Sequence, residues 1–165
     1  MKILGVTVSE QFNFDTHVNN IVIKARQSMY ALRVLTAHGL RGQSLSDVTN
    51  ATTVLRMLYA APAWWGFVGG EGCTRLQATI RRLVRSRYLP ESYQSFEQLC
   101  EKADSNLFST IISNPAHVLH QLLPPVKTVS YSLCLRTHNR IIPMANPLSR
   151  KTCVTRSVVL IMSQF

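Results

Sequence analysis

Four arginines, at positions 75, 81, 82 and 85, form the clearest candidate binding feature of this sequence. On a helix that turns 100° per residue, the other three all fall within about 120° of Arg75, and the apolar residues of the segment fall on the opposite side. Guanidinium groups bind phosphate oxygens through paired N–H donors. The pattern therefore predicts an amphipathic helix over Glu71–Tyr88 with a phosphate-binding face.

The predicted arginine face contains no acidic residue. Arg81 and Arg85 are four residues apart, a spacing at which like charges on a helix repel each other. An ordinary solvent-facing helix would place acids between such bases. Two interpretations stay open: acids elsewhere in the fold pair with these arginines, or phosphate groups of a partner do. The chain has only 8 Asp and Glu residues, which favours the second interpretation.

The charge balance of the whole chain also points to a polyanion. There are 18 Lys and Arg residues and a formal net charge of +10. The last acid is Asp104, and the charged residues that follow it are all basic. A polyanion partner, most simply nucleic acid, is the natural interpretation. The alternative is that many small basic proteins carry such a charge without binding nucleic acid.

Catalytic chemistry finds little support in the sequence. None of the acids forms the Asp-Asp pair that a two-metal polymerase or nuclease site uses. His117 and His120, or Cys134 and His138, could bind zinc. Zinc sites usually contain closely spaced cysteine pairs, however, and here no two cysteines are closer than 19 residues. No nucleophile elbow or phosphate-binding glycine loop is present. We therefore expect no catalytic residue and no bound metal.

Length and composition restrict the class of protein. A chain of 165 residues suits one domain, or one domain with a tail, and 46% apolar residues allow a real core. The most apolar stretch, Val54–Val68, is interrupted by Arg56 and Pro62 and is too short to span a membrane. No secretory signal is recognisable. The irregular spacing of the four cysteines argues against a disulfide framework.

The remaining segments predict a mainly α-helical chain. The β-branched run of residues 3–8 predicts one strand, which needs partner strands that the chain does not offer, so they are expected to be missing. Asp15 is the predicted N-cap of a long helix that ends near Gly39. Further helices are predicted from Ser44 or Ser46 to Pro62, over Tyr93–Lys102, over Asn106–Ile112 and over Ala116–Leu122.

Two further segments complete the sequence-based prediction. Residues 126–157 have no clear period and predict loop, whereas Val158–Met162 predicts a second strand.

Trp64 and Trp65 could stack on nucleic-acid bases. They stand in a mostly apolar segment, however, which favours packing in a core or an interface.

Several motifs in order resemble the region that follows the catalytic palm in reverse transcriptases of jockey-like non-LTR retrotransposons. Each motif is weak by itself, but their common order over residues 2–143 is fairly specific, and residues 147–165 depart from it. The motifs are Lys2-Ile3-Leu4-Gly5-Val6, Tyr30-Ala31-Leu32-Arg33, Tyr59-Ala60-Ala61-Pro62-Ala63-Trp64, Arg75-Leu76-Gln77 with Arg81-Arg82 and Arg85, Phe96-x-x-Leu99-Cys100, Asp104-x-x-Leu107-Phe108, Asn114-Pro115-x-His117, and Leu133-x-Leu135-Arg136-x-His138-Asn139.

The resemblance implies a fold and a division of the chain. Residues 1–12 would be a residual primer-grip strand, residues 13–125 a helical thumb-like region, and residues 126–165 an irregular basic tail. The expected fold is mainly α: a helical thumb-like bundle with one or two residual strands at the N- and C-terminal ends.

The resemblance also implies a function. In the family, the catalytic Tyr-Ala-Asp-Asp motif lies upstream of this region, so the chain by itself is expected to be inactive. A divalent metal would belong to the missing palm, and this chain would hold no cofactor. The expected partner is an RNA/DNA template–primer duplex, bound through the phosphate groups. The alternative is a small basic nucleic-acid-binding or ribonucleoprotein component without catalytic activity. The residues expected to bind are Arg75, Arg81, Arg82 and Arg85.

Overall fold

A computed structural model of the chain describes residues 1–125 and 149–157, and the fold is mainly α-helical, as the sequence predicts. Contacts divide the chain into two compact units, Met1–Cys100 and Glu101–Phe165. The elements are β1 (Lys2–Ile3), β2 (Val6–Thr7), α1 (Asp15–Ala37), α2 (Gly42–Thr49), a π-helical segment (Asn50–Val54), α3 (Leu55–Met57), α4 (Ala61–Trp64), a 3-10 turn (Trp65–Phe67), α5 (Gly70–Arg85), α6 (Phe96–Ser113), and 3-10 turns at Val118–Leu122 and Ser149–Lys151.

The N-terminal segment is a β-hairpin, so the prediction of one unpartnered strand over residues 3–8 is wrong. β1 and β2 pair with each other in antiparallel register, with Lys2 opposite Thr7. The two turn residues, Leu4 and Gly5, have φ angles of 45° and 89°. Positive φ at both positions is what a type I′ hairpin turn requires. The Tyr59 hydroxyl donates to the Leu4 carbonyl over 3.0 Å and supports this strained turn.

Helix α1 ends at the predicted glycine but begins one residue differently. Its N-cap is Phe14, and Asp15 is the first helical residue, whose N–H donates to the Asn13 side chain. At the other end Gly39 has φ 94°. Its N–H donates to Thr36, and the next N–H donates to Leu35, which makes a Schellman motif. The C-terminal prediction is therefore confirmed.

The second predicted helix ends before Pro62 rather than at it. Ala60 adopts a left-handed conformation with φ 52°, and Pro62 lies in the first turn of α4. A proline costs no hydrogen bond there, since the first-turn N–H groups have no intrahelical partner. The indole of Trp64 donates to the Tyr59 carbonyl over 2.9 Å and stabilises the turn that leads into α4.

The C-terminal predictions differ from the structure in three places. Residues 93–112 contain one helix, α6, instead of two, because nothing in residues 103–106 breaks the backbone pattern. The predicted helix over Ala116–Leu122 is a 3-10 turn. Residues 149–151 and 153–157, predicted as loop, are helical, with a bend at Thr152 between them. Residues 126–148 and the predicted strand Val158–Met162 lie outside the described part of the chain.

The core of the first unit forms around Trp64, whose side chain is completely buried. The ring of His17 contacts the Trp64 ring edge-on at 5.2 Å, and Phe96 stacks against it at 6.5 Å. Helices α1 and α5 contribute Val18 and Leu76 to the same cluster. The prediction that the tryptophan pair serves packing is confirmed for Trp64. This core holds α1 and α5 side by side.

Candidate nucleic-acid interface

Helix α5 has the amphipathic form that its sequence predicts. Leu76, Ile80 and Leu83 are buried on one side. Arg75 is half-buried at the edge of the opposite side, and Arg81, Arg82 and Arg85 are exposed. Burial of the leucine face against the core therefore turns the guanidinium groups toward solvent.

A glycine in the first turn of α5 leaves room for the tightly packed Val68 side chain, next to α1. A Cβ atom on Gly72 would lie 2.5 Å from a methyl of Val68 and 3.7 Å from a methyl of Val18 in α1. Only a residue without a side chain fits this space. Val18 of α1 lies next to Gly72, and residues further along both helices, among them Val22 on α1 and Arg75 on α5, line one groove.

The groove between α1 and α5 brings all four predicted binding residues together. Its volume is about 360 Å³. The arginines form its rim, and its floor is apolar because buried Val22 and half-buried Met29 line it. We call this feature the arginine groove; its lining residues are Val22, Arg26, Met29, Arg75, Ala78, Thr79, Arg81, Arg82 and Arg85.

Arg26 is a groove residue that the sequence analysis missed. It is exposed on α1, and it lines the groove opposite the arginines of α5. The sequence contains a pattern that could have identified Arg26. Val18, Val22 and Arg26 follow one another at four-residue steps, so Arg26 continues the edge of the buried face of α1. What the sequence could not supply is that this edge of α1 faces α5.

The arginine groove has no acid to neutralise it. All eight acidic side chains of the sequence lie in the described part of the chain. Within that part, the ion pair present is Arg156 with Asp104, and no carboxylate lies within 4 Å of a groove arginine. The interpretation that internal acids pair with these arginines therefore fails for the described residues.

Local helix electrostatics stabilise two of the groove cations. Arg82 and Arg85 lie in the last turn of α5, where the unpaired carbonyls give the helix end a partial negative charge. This interaction favours basic residues there without any partner. It does not account for Arg26 or Arg75, which lie in the middle of α1 and near the start of α5.

The chemistry that the arginine groove offers is anion binding. None of its lining residues is a carboxylate, a histidine or a cysteine, so it contains no general base and no strong nucleophile. Five guanidinium groups around one concave surface can bind several phosphate oxygens at once.

The residues considered for metal binding do not form a cluster. Within residues 1–125 and 149–157, no three His, Cys, Asp or Glu side chains are placed to hold a metal ion. The Nδ1 atom of His117 accepts a hydrogen bond from the N–H of Leu119 over 3.1 Å, which caps the following 3-10 turn. Cys134 and His138 lie outside the described residues.

Comparison with known proteins supplies no family. Protein-family models, curated proteins and solved structures all give no match to this chain. Among the helices that the structure describes, none combines the length and the hydropathy needed to cross a membrane.

Proposed function

We propose that the chain binds nucleic acid through its sugar–phosphate backbone in the arginine groove. The observation that supports this most is the convergence of five arginines from two helices on one groove, with no carboxylate within 4 Å of any of them among the described residues. Phosphodiesters are the common biological anions that present several charges along a line. Arginine suits them because its guanidinium group binds two phosphate oxygens at once.

We further propose a parent protein for this binding role. The ordered motifs resemble the thumb region of a jockey-like reverse transcriptase, and a thumb would hold an RNA/DNA template–primer duplex. The chain would then be a fragment of an RNA-directed DNA polymerase and inactive by itself. A primer-extension assay with the purified chain should yield no DNA, whereas any synthesis would contradict the proposal. A Tyr-Ala-Asp-Asp reading frame directly upstream in the coding sequence would support it.

A second candidate is a small basic nucleic-acid-binding or ribonucleoprotein component with its own role. The observation in its favour is that Met1–Cys100 contains a closed cluster of buried side chains around Trp64. A cooperative thermal transition of the isolated chain supports this candidate. Aggregation with dye-binding apolar surface supports the fragment.

Filter binding to a hybrid duplex at two salt concentrations tests the binding role itself. Because phosphate contacts release counterions, the affinity should fall steeply as salt rises. Arg82→Glu should weaken binding at low salt. The matched control is Arg41→Glu, which makes the same charge change at an exposed residue that does not line the groove. Equal losses in both variants, or binding that is independent of salt, would contradict the proposal.

A further inference from the structure

A second cavity lies next to the arginine groove. Its volume is about 370 Å³, within the range of small-molecule sites. Arg81 lines both this cavity and the arginine groove. A strand whose phosphates lie in the groove would therefore pass the mouth of the second cavity at Arg81. Its other relevant lining residues are Trp65, Cys73, Gln77, Phe96 and Glu97.

An aromatic ring forms one wall of this cavity. Trp65 is half-buried, unlike the completely buried Trp64 beside it. Phe96 contacts the Trp65 ring edge-on, with centroids 5.4 Å apart and planes at 74°. Phe96 is fully buried, so this contact holds the Trp65 ring in place while leaving part of it accessible in the cavity. Indole faces are among the preferred stacking surfaces for nucleic-acid bases.

The side-chain amide of Gln77 has a defined orientation in this cavity. The main-chain N–H of Phe96 donates to it over 2.7 Å, and only the oxygen Oε1 can accept that bond. The amide nitrogen Nε2 is therefore the atom left with N–H groups to donate. The cavity thus contains a positioned hydrogen-bond donor that the fold of the described residues does not use.

Glu97 supplies an acceptor beside the cations. It is exposed, lines the cavity together with Arg81, and forms no ion pair with it within 4 Å. An acid is unfavourable in a site for phosphates, which it repels. It is favourable in a site for a base edge, whose N–H groups a carboxylate accepts. Burial, and after it the charge of Glu97, raises the pKa of the Cys73 thiol, which disfavours its thiolate form.

We propose that the cavity at Trp65, Gln77 and Glu97 holds one unpaired nucleobase of a strand whose phosphates lie in the arginine groove. The base stacks on Trp65, donates an N–H to Glu97 and accepts from Gln77 Nε2. This inference rests on the proposed nucleic-acid binding and adds a requirement to it: the base that enters the cavity is unpaired, because removing a paired base from its stack costs a few kcal/mol.

Comparison with an abasic strand distinguishes binding of a base from binding of the phosphates. The probes are a single-stranded DNA 12-mer of alternating guanine and thymine and a 12-mer of the same length in which every base is removed. Both carry the same phosphates. The full chain should bind the base-containing strand roughly tenfold more tightly, the effect of one stacked base. Equal affinity for the two strands would overturn the base site, although the phosphate-binding proposal would stand. No binding to either strand would also overturn the base site, whereas the phosphate-binding proposal would fail only if the hybrid duplex were not bound either.

Glu97→Gln is the most informative variant, because a base site and phosphate binding alone predict opposite changes in affinity. Glu97 is exposed and the change is isosteric, so folding should be unaffected. If the cavity takes a base, the variant weakens binding of the base-containing strand and does not weaken binding of the abasic strand. If only phosphates bind, removal of a negative charge strengthens binding of both strands. The control Glu91→Gln removes the same charge at an exposed residue that does not line the cavity, and it should not change the ratio of the two affinities.

Discussion

Arginines occur in two contrasting settings in this chain. In the second unit, Arg156 donates from Nε and Nη2 to Oδ2 of Asp104, over 2.9 and 2.7 Å, and Asp104 is only 1% exposed. In the first unit, the five arginines of the arginine groove have no carboxylate within 4 Å in the part of the chain that the structure describes. The residue type is the same, but one setting neutralises the charge and the other leaves it available.

The contrast distinguishes a charge that the fold neutralises, at Arg156, from charges that stay available to bind a partner, in the arginine groove. A buried carboxylate needs a partner because desolvation of an unpaired ion costs several kcal/mol. Exposed guanidinium groups need none for folding, since water solvates them. Beyond the helix-end stabilisation of Arg82 and Arg85, stability does not explain the arginine groove, and repulsion among its cations is tolerated in the absence of a ligand. That is the physical basis for our proposal that the groove binds an anionic partner.

Removal of the buried pair should give the largest effect. Asp104→Ala leaves Arg156 without its carboxylate and should lower the free energy of unfolding by about 3 kcal/mol. Arg82→Ala in the groove should change it by less than about 0.5 kcal/mol. Urea denaturation of both variants measures the difference. Similar losses in the two variants would remove the distinction between the two settings.

Gly72→Ala tests the tight packing at the start of α5, the helix that carries four of the groove arginines. The added Cβ would lie 2.5 Å from a methyl of Val68, which has no flexible end to move away. We expect a loss of stability of about 2 kcal/mol, as for other overpacked sites. Thermal denaturation checks this. The control is Gly69→Ala, since a Cβ there meets no atom within 4 Å, and an equal loss in the control would count against the tight packing of Val68 on Gly72.

His17 is a buried ionisable group without a charged partner, and it should make the first unit sensitive to acid. Burial, and to a lesser degree the charge of Lys24, lowers the pKa of His17 below its usual 6.5. The unfolded chain then binds a proton more readily than the folded chain as the pH falls below about 6.5, so stability decreases there. Urea midpoints at pH 7.5 and pH 5.5 measure the decrease.

Two histidine variants assign that pH dependence. His17→Phe should remove most of the difference between the two midpoints, because phenylalanine cannot bind a proton. His38→Gln changes an exposed histidine and should leave the difference as it is in the unsubstituted chain. If the His17 variant keeps the full difference, another group is responsible.

The smallest predicted effect is a gain in stability at the end of α5. Arg87 has φ 59° in a Schellman motif, the position that Gly39 occupies after α1. Arg87→Gly should relieve this strain and stabilise the chain by about 1 kcal/mol. Arg87 does not line the arginine groove, so affinity for nucleic acid should change little. A thermal midpoint that falls would contradict the strain argument.

The sequence predicts the parts of the site that lie on one helix. The apolar face of α5 places its arginines by periodicity alone, and the Gly39 stop follows from the left-handed conformation that glycine tolerates. Arg26 joins the groove only because α1 packs beside α5, a tertiary contact that no local pattern encodes. The hairpin turn at Leu4-Gly5 was missed because a leucine with positive φ is rare.

The most direct test of the arginine groove as the nucleic-acid site is the slope of log affinity against log salt concentration for a hybrid duplex. Removing one arginine that neutralises a phosphate should make that slope shallower by about one. Arg26→Ala, on the helix opposite the predicted arginines, should change the slope by about that amount, and Arg41→Ala should leave it unchanged. A slope for Arg26→Ala equal to that of the unsubstituted chain would contradict the account.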